Sequence, residues 1–197
     1  MILPKRLLAA TACTILLGLP VLAQEQPTPD ENVFVMAGPF SREFFGASFR
    51  FWEDHYESNF FAGAGYQRFL YEHPGGFKGG VEAGLGLRLG DRNSVEVWGG
   101  AVARFDIFSI GDISITPSLT AGFSLVSDTI GEETIRASQI SQQVHLLYYL
   151  GPEIAIGHAA YPGFEVIGRV HHRSGGFGTI APIDGSNAAV LGLRYKF

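Results

Sequence analysis

Three side chains near the C-terminus have the types and spacing of a nucleophilic site. His172 and Ser174 are two residues apart in FEVIGRVHHRS, a segment that alternates as a strand does, and residues i and i+2 of a strand share a face. Asn187 opens a second alternating segment in which Asn187, Ala189, Leu191, Leu193, Tyr195 and Phe197 share one face. A histidine within reach of a serine hydroxyl takes its proton as the hydroxyl attacks a carbonyl. A third group on the imidazole fixes its tautomer and steadies the imidazolium. Taken alone, the His-x-Ser spacing is weak evidence, because two polar residues at the end of an interfacial strand would look the same.

The elements that must position these residues form the closing hairpin. In residues 164–173, Phe164, Val166, Gly168, Val170 and His172 share one face, and Glu165, Ile167, Arg169 and His171 the other. In the last segment the apolar row is backed by Gly192, Arg194 and Lys196. A strand that is apolar on its outer face and polar on its inner face suits a barrel in lipid, and the chain ends on Phe197, a feature that resembles the assembly signal of bacterial outer-membrane barrels. The prediction is that His172, Ser174 and Asn187 converge on the lipid-facing outer rim of this hairpin.

Residues 32–38, 59–71, 77–89, 94–105, 113–126 and 142–156 supply six further strands between turn signals. The expected fold is therefore all-β, an eight-stranded antiparallel transmembrane β-barrel. Residues 39–58 read as an outer loop, although FFGASFRF also alternates and the barrel could instead start at Phe44. Pro117 is expected at a strand end or bulge, a proline irregularity is expected within 142–156, and residues 127–141 read as a long polar loop. Short turns near 73–76, 107–112 and 160–163 would face the periplasm, with the long 127–141 and 174–186 connections facing outward. The short 90–93 connection fits this scheme less well.

Bulk properties agree. Residues 1–23 read as a removable signal peptide: Lys5 and Arg6, an apolar stretch, then Val21-Leu22-Ala23 before Gln24. Cys13 lies inside this stretch, but Ala10-Thr11-Ala12 matches a lipoprotein cleavage site poorly. Residues 24–31 form a polar leader, and 32–197 form the barrel domain. The mature chain keeps 174 residues and no cysteine, so no disulfide framework contributes. It carries 12 basic against 19 acidic residues, which gives no support for nucleic-acid binding. No apolar run after residue 23 approaches the length of a membrane-spanning helix.

Arg50, Arg88, Arg104 and Arg169, with Glu82, Glu96 and Glu165, are read as an ion-pair network filling the lumen, since eight strands leave room for side chains and not for a pore. Trp52, Trp98, Tyr148, Tyr149 and Tyr195 are expected as interfacial anchors. His171 points away from His172, and His145 and His158 lack ligand-like partners, so no metal site is predicted.

The hairpin resembles the lipid A 3-O-deacylase (PagL) family of eight-stranded outer-membrane barrels. The resemblance rests on His172-Arg173-Ser174, the Pro182-Ile183-Asp184-Gly185 turn and the distance from residue 187 to the C-terminus. It covers about 25 residues specifically; strand order and length match more loosely. It implies an outer-membrane enzyme that removes an acyl chain from lipid A (lipopolysaccharide) in the outer leaflet, without a cofactor. Ser174 would be the nucleophile and His172 the general base. Two positions depart from the family. Its glutamate falls at Asn187, where an amide can orient the histidine but cannot counter its charge; Asp184 is the candidate substitute. Its Asn after the serine is Gly175 here, so the backbone N–H groups of the Gly175-Gly176-Phe177-Gly178 run, Gly175 and Gly176 foremost, would stabilise the oxyanion instead.

Two other readings stand beside this one. An inactive outer-membrane barrel would keep the fold with Asn187 in place of the carboxylate. A soluble periplasmic barrel would bind an apolar ligand inside, against which the polar inward faces and Phe197 argue. Oligomeric state and the acyl position cleaved are left open.

Overall fold

The computed structural model describes residues 30–106 and 108–197; the proposed signal peptide and most of the leader lie outside them. The elements are β1 (Glu31–Ser41), β2 (Tyr56–His73), β3 (Phe77–Leu89), β4 (Ser94–Phe105), β5 (Phe108–Ile110), β6 (Ile113–Val126), α1 (Gly131–Gln139), β7 (Leu146–His158), β8 (Phe164–Ser174) and β9 (Asp184–Lys196). Eight long strands pair antiparallel in the order β4-β3-β2-β1-β9-β8-β7-β6. A β4–β6 ladder closes the ring, and the three-residue β5 extends one turn as a ribbon on β6. The first and last strands meet where β1 pairs with β9, and the Phe197 N–H donates to the Glu31 carbonyl at 2.9 Å. Closure satisfies the backbone groups that an open edge would leave bare in lipid.

Alternation decides the faces. Leu191, Leu193, Tyr195 and Phe197 are outside and exposed, whereas Arg194 is buried inside. Inside, charges are paired instead of left as a path. The Glu82 carboxylate accepts hydrogen bonds from Gln67, Trp98, Thr120 and Arg169 at 2.6–2.9 Å. Arg169 also reaches Glu153; Arg194 joins Glu153 to Glu165; Arg104 and Lys196 complete Glu165. Arg50 is not a member: it lies in the β1–β2 loop and pairs with exposed Glu53.

Two predicted anchors are also inside. Trp98 and Tyr149 are buried, because both fall on the inward parity of their strands. Room for Trp98 comes from the opposing glycines: a Cβ at Gly84 would lie 2.0 Å from its Cζ2. Small residues facing large ones is how a narrow barrel is filled. Trp52, Tyr148 and Tyr195 do lie outside the lumen, with Trp52 in the β1–β2 loop and Tyr148 stacked on Phe123.

The barrel begins at β1, as the reading of residues 32–38 as the first strand expects, and residues 42–55 form a loop. Two differences have local causes. Pro117 is neither a strand end nor a bulge; it lies inside β6, in the gap between the β4 ladder, which stops at Arg104–Ser118, and the β5 ladder, which starts at Phe108–Ile115. Residues 127–141 are not all loop. They contain α1, whose first turn carries Glu132 and Glu133 and whose last carries Arg136, a charge order that favours a helix. The expected irregularity in β7 is present as a gap in its β8 ladder at Gly151–Pro152, with register kept on both sides.

Candidate active site

The site is built where β8 and β9 reach the long-loop end of the barrel. His172 pairs with Asn187 and Arg173 with Ser186, but Ser174 pairs with Asp184, so Gly185 is the extra residue of a bulge. A bulge shifts which residues oppose one another. Here it gives Asp184, in place of Gly185, the face shared by Ser174 and His172. Gly185 itself is hemmed in: an added Cβ would lie 2.7 Å from Leu147 and 2.8 Å from the Arg173 carbonyl.

These side chains point outward, as the alternation predicts, yet they are not bare to lipid. His172 is 5% exposed and Asn187 0%. Residues 42–55 cover them. Arg42 N–H donates to His55 O at 2.9 Å across the neck of this loop, and Ser41 Oγ donates to Asp54 at 2.6 Å. The loop sets Phe45 over the imidazole, with ring centres 4.1 Å apart and planes at 26°. Phe45 belongs to the stretch that reads ambiguously as strand or loop, so periodicity carries no signal of this contact.

His172 Nδ1 lies 2.6 Å from Asn187 Oδ1. The amide orientation is fixed from the other side, because Asn187 Nδ2 donates to the Glu43 carbonyl at 2.9 Å. With its Oδ1 turned to the ring, Asn187 accepts the Nδ1 proton, and Nε2 is the basic nitrogen. Asp184 Oδ1 stands 3.6 Å from the same Nδ1. Its other oxygen, Oδ2, accepts the Phe45 N–H at 2.9 Å. Buried Oδ1 accepts no hydrogen bond among the described residues.

Ser174 and His172 line one cavity of about 410 Å³ with Phe45, Phe177, Ile183 and Asp184. Ser174 Oγ makes no hydrogen bond among the described residues, and catalytic contacts of this kind often form only when substrate seats. Two strand positions further into the barrel wall, beside Val170 and Leu191, a second outer cavity of about 860 Å³ is lined by Phe49, Phe51, Pro117 and Pro152.

The oxyanion prediction is corrected at one position. Gly175 N–H donates to the Ile183 carbonyl at 2.8 Å, and Gly175 O accepts from Ile180 N; this residue closes the neck of the β8–β9 loop and has no donor to offer. Gly176 N–H is not used in this way among the described residues. Its φ of +62° and a Cβ that would meet Tyr148 at 2.5 Å require glycine there. Phe177 and Gly178 follow at φ +56° and +92°, the signs of a type I′ turn. Phe177, fully exposed at that turn, adopts a conformation uncommon for a bulky residue.

No protein-family model and no curated protein matches the chain. Among solved structures it is similar to the outer membrane enzyme PagL, at 15% identity over 84% of this chain and 99% of that chain, with a TM-score of 0.60. It is also similar to Neisserial surface protein A, at 11% identity over 87% of this chain and 100% of that chain, with a TM-score of 0.51. The fold is that of the eight-stranded outer-membrane barrels. At these identities the likeness speaks for the barrel, and the chemistry rests on the side chains of this chain.

Proposed function

We propose that this chain is a bacterial outer-membrane carboxylic-ester hydrolase that removes an acyl chain from lipid A. The observation that carries this reading is His172. Its Nδ1 is held by Asn187, with Asp184 beside it, under the Phe45 ring and in a cavity shared with Ser174. That is the arrangement of a general base with an orienting partner and a nucleophile on one strand face.

The reaction follows from these roles. Ser174 Oγ attacks the ester carbonyl as His172 Nε2 takes the hydroxyl proton. Asn187 keeps the ring in the tautomer that leaves Nε2 free, and the Asp184 carboxylate offsets the imidazolium charge. The Gly176 N–H stabilises the oxyanion. The alkoxide leaves with the proton from Nε2, and the acyl group stays on Ser174. Water, deprotonated by His172, then releases the fatty acid and restores the serine. No cofactor enters. The apolar outer cavity beside Val170 offers an acyl chain a path along the barrel wall, so the lipid need not leave the membrane.

A second reading, an inactive barrel, is favoured by one residue: Asn187 stands where the family that the hairpin resembles has a glutamate. Labelling separates the two. A fluorophosphonate should modify Ser174 of the purified, detergent-folded protein, and purified lipid A should release one fatty acid. Absence of both with a folded barrel would favour the inactive reading.

A further inference from the structure

We propose that Arg136, on α1, is a positioning residue that holds the two partners of His172 in place. This rests on the hydrolase reading for its catalytic consequence but not for its structural one. The Arg136 guanidinium donates to four backbone carbonyls: Asp184 O at 3.1 Å, Gly185 O at 3.1 Å, Arg42 O at 2.8 Å and Glu43 O at 3.5 Å. It also lies 4.7 Å over the Phe44 ring. A planar fork with several donors can bridge separate segments in this way, whereas an ammonium acts as a point charge.

Each segment it grips controls one contact to the imidazole. Glu43 O is the acceptor that fixes the Asn187 amide. Asp184 and Gly185 form the bulge that brings the carboxylate to the Ser174 face. The loop that begins at Arg42 carries Phe45, which both stacks on His172 and donates to Asp184. Arg136 touches none of the reacting groups. It sets the distance between the β1–β2 loop and the start of β9, and His172 is held between them. One turn earlier on α1, Glu133 pairs with Arg173, the residue between His172 and Ser174, and with Arg88. The helix is thereby anchored to the barrel independently of Arg136, so removing the Arg136 side chain should loosen the site without releasing the helix.

The test reads the imidazole directly. The protein is labelled with ¹⁵N-histidine and folded in detergent micelles, and the His172 signals are assigned by their loss in His172→Gln. In the wild type these nitrogens should report a single tautomer with the proton on Nδ1. In Arg136→Ala they should move toward the averaged values of a mobile, mixed-tautomer ring, and sub-denaturing guanidinium should partly restore them. Arg136→Lys, which keeps charge but not the fork, should behave as the alanine variant does, and it serves alone if that variant does not fold. On lipid A, kcat of the folded variant should fall by about 10- to 100-fold, the scale of a small misplacement of catalytic groups, with KM little changed. Wild-type His172 shifts in a folded Arg136 variant would overturn the proposal. A wild type that is inactive on lipid A, but whose His172 tautomer depends on Arg136, would sink the hydrolase reading and leave the positioning role standing.

Discussion

Asp184 Oδ1 stands 3.6 Å from His172 Nδ1, just beyond hydrogen-bond reach, while Asn187 Oδ1 holds that nitrogen at 2.6 Å. The orienting contact and the negative charge thus come from different residues, where a single glutamate would supply both. Asp184→Asn should keep the geometry and lose the charge, cutting kcat on the order of 10²- to 10⁴-fold. Asn187→Ala should also cut kcat, by letting the ring turn. Because both act through His172, the double variant should lose far less than the product of the two effects. Steady-state kinetics on purified lipid A checks this; simple multiplicative losses would show that the two residues act separately.

Phe45 is the lid of the imidazole. Its ring stacks on His172 and leaves that residue 5% exposed. Phe45→Ala should open the ring to solvent, so that diethyl pyrocarbonate modifies His172 several-fold faster, while kcat falls because the Phe45 backbone is no longer held by ring packing. Peptide mapping of the modified histidine measures the rate. An unchanged rate would mean that other parts of the loop provide the cover.

The hairpin was legible in the sequence because its information is periodic. Val166, Leu191 and Leu193 outside against Arg169 and Arg194 inside follow from alternation alone, and His172, Ser174 and Asn187 fall on one face by the same rule. Phe45, Glu43 and Arg136 were not legible, since each reaches the site from a loop or a short helix, and no period links residue 45 or 136 to residue 172. The helix left a faint trace, two acidic residues followed by an arginine three and four positions on, which its polar setting hid. Residue type alone points Trp98 and Tyr149 to the interface, which aromatic rings favour, but strand parity and the opposing glycines put these two in the lumen. The Gly175 donor was lost to a loop-closing bond that composition cannot reveal.

Glu133 closes the long-loop end of the lumen between Arg88 and Arg173, and all three are fully buried. Removing one partner of a buried ion pair leaves uncompensated charge, at a cost of about 3–5 kcal/mol. Glu133→Ala should therefore lower the urea midpoint of the folded barrel markedly. Glu53→Ala, on the exposed Arg50 pair, should shift it hardly at all. Equal shifts would show that the lumen network is not what stabilises this end.

Gly84 sits opposite Trp98 on the neighbouring strand, inside the lumen, with no room for a methyl group. Gly84→Ala should destabilise the barrel by about 1–3 kcal/mol through overpacking, and a smaller residue at position 98 should relieve part of that strain. Urea unfolding of the single and double variants gives the coupling; strictly additive losses would place the cost of Gly84→Ala somewhere other than the indole.

The most direct test of the central claim is mass spectrometry of lipid A from cells that make the wild type or Ser174→Ala, each checked for folded protein in the outer membrane. The account predicts lipid A lacking one acyl chain with the wild type and intact lipid A with Ser174→Ala. Intact lipid A in both, matching cells without the protein, would contradict lipid A deacylation and leave the barrel without this chemistry in that membrane.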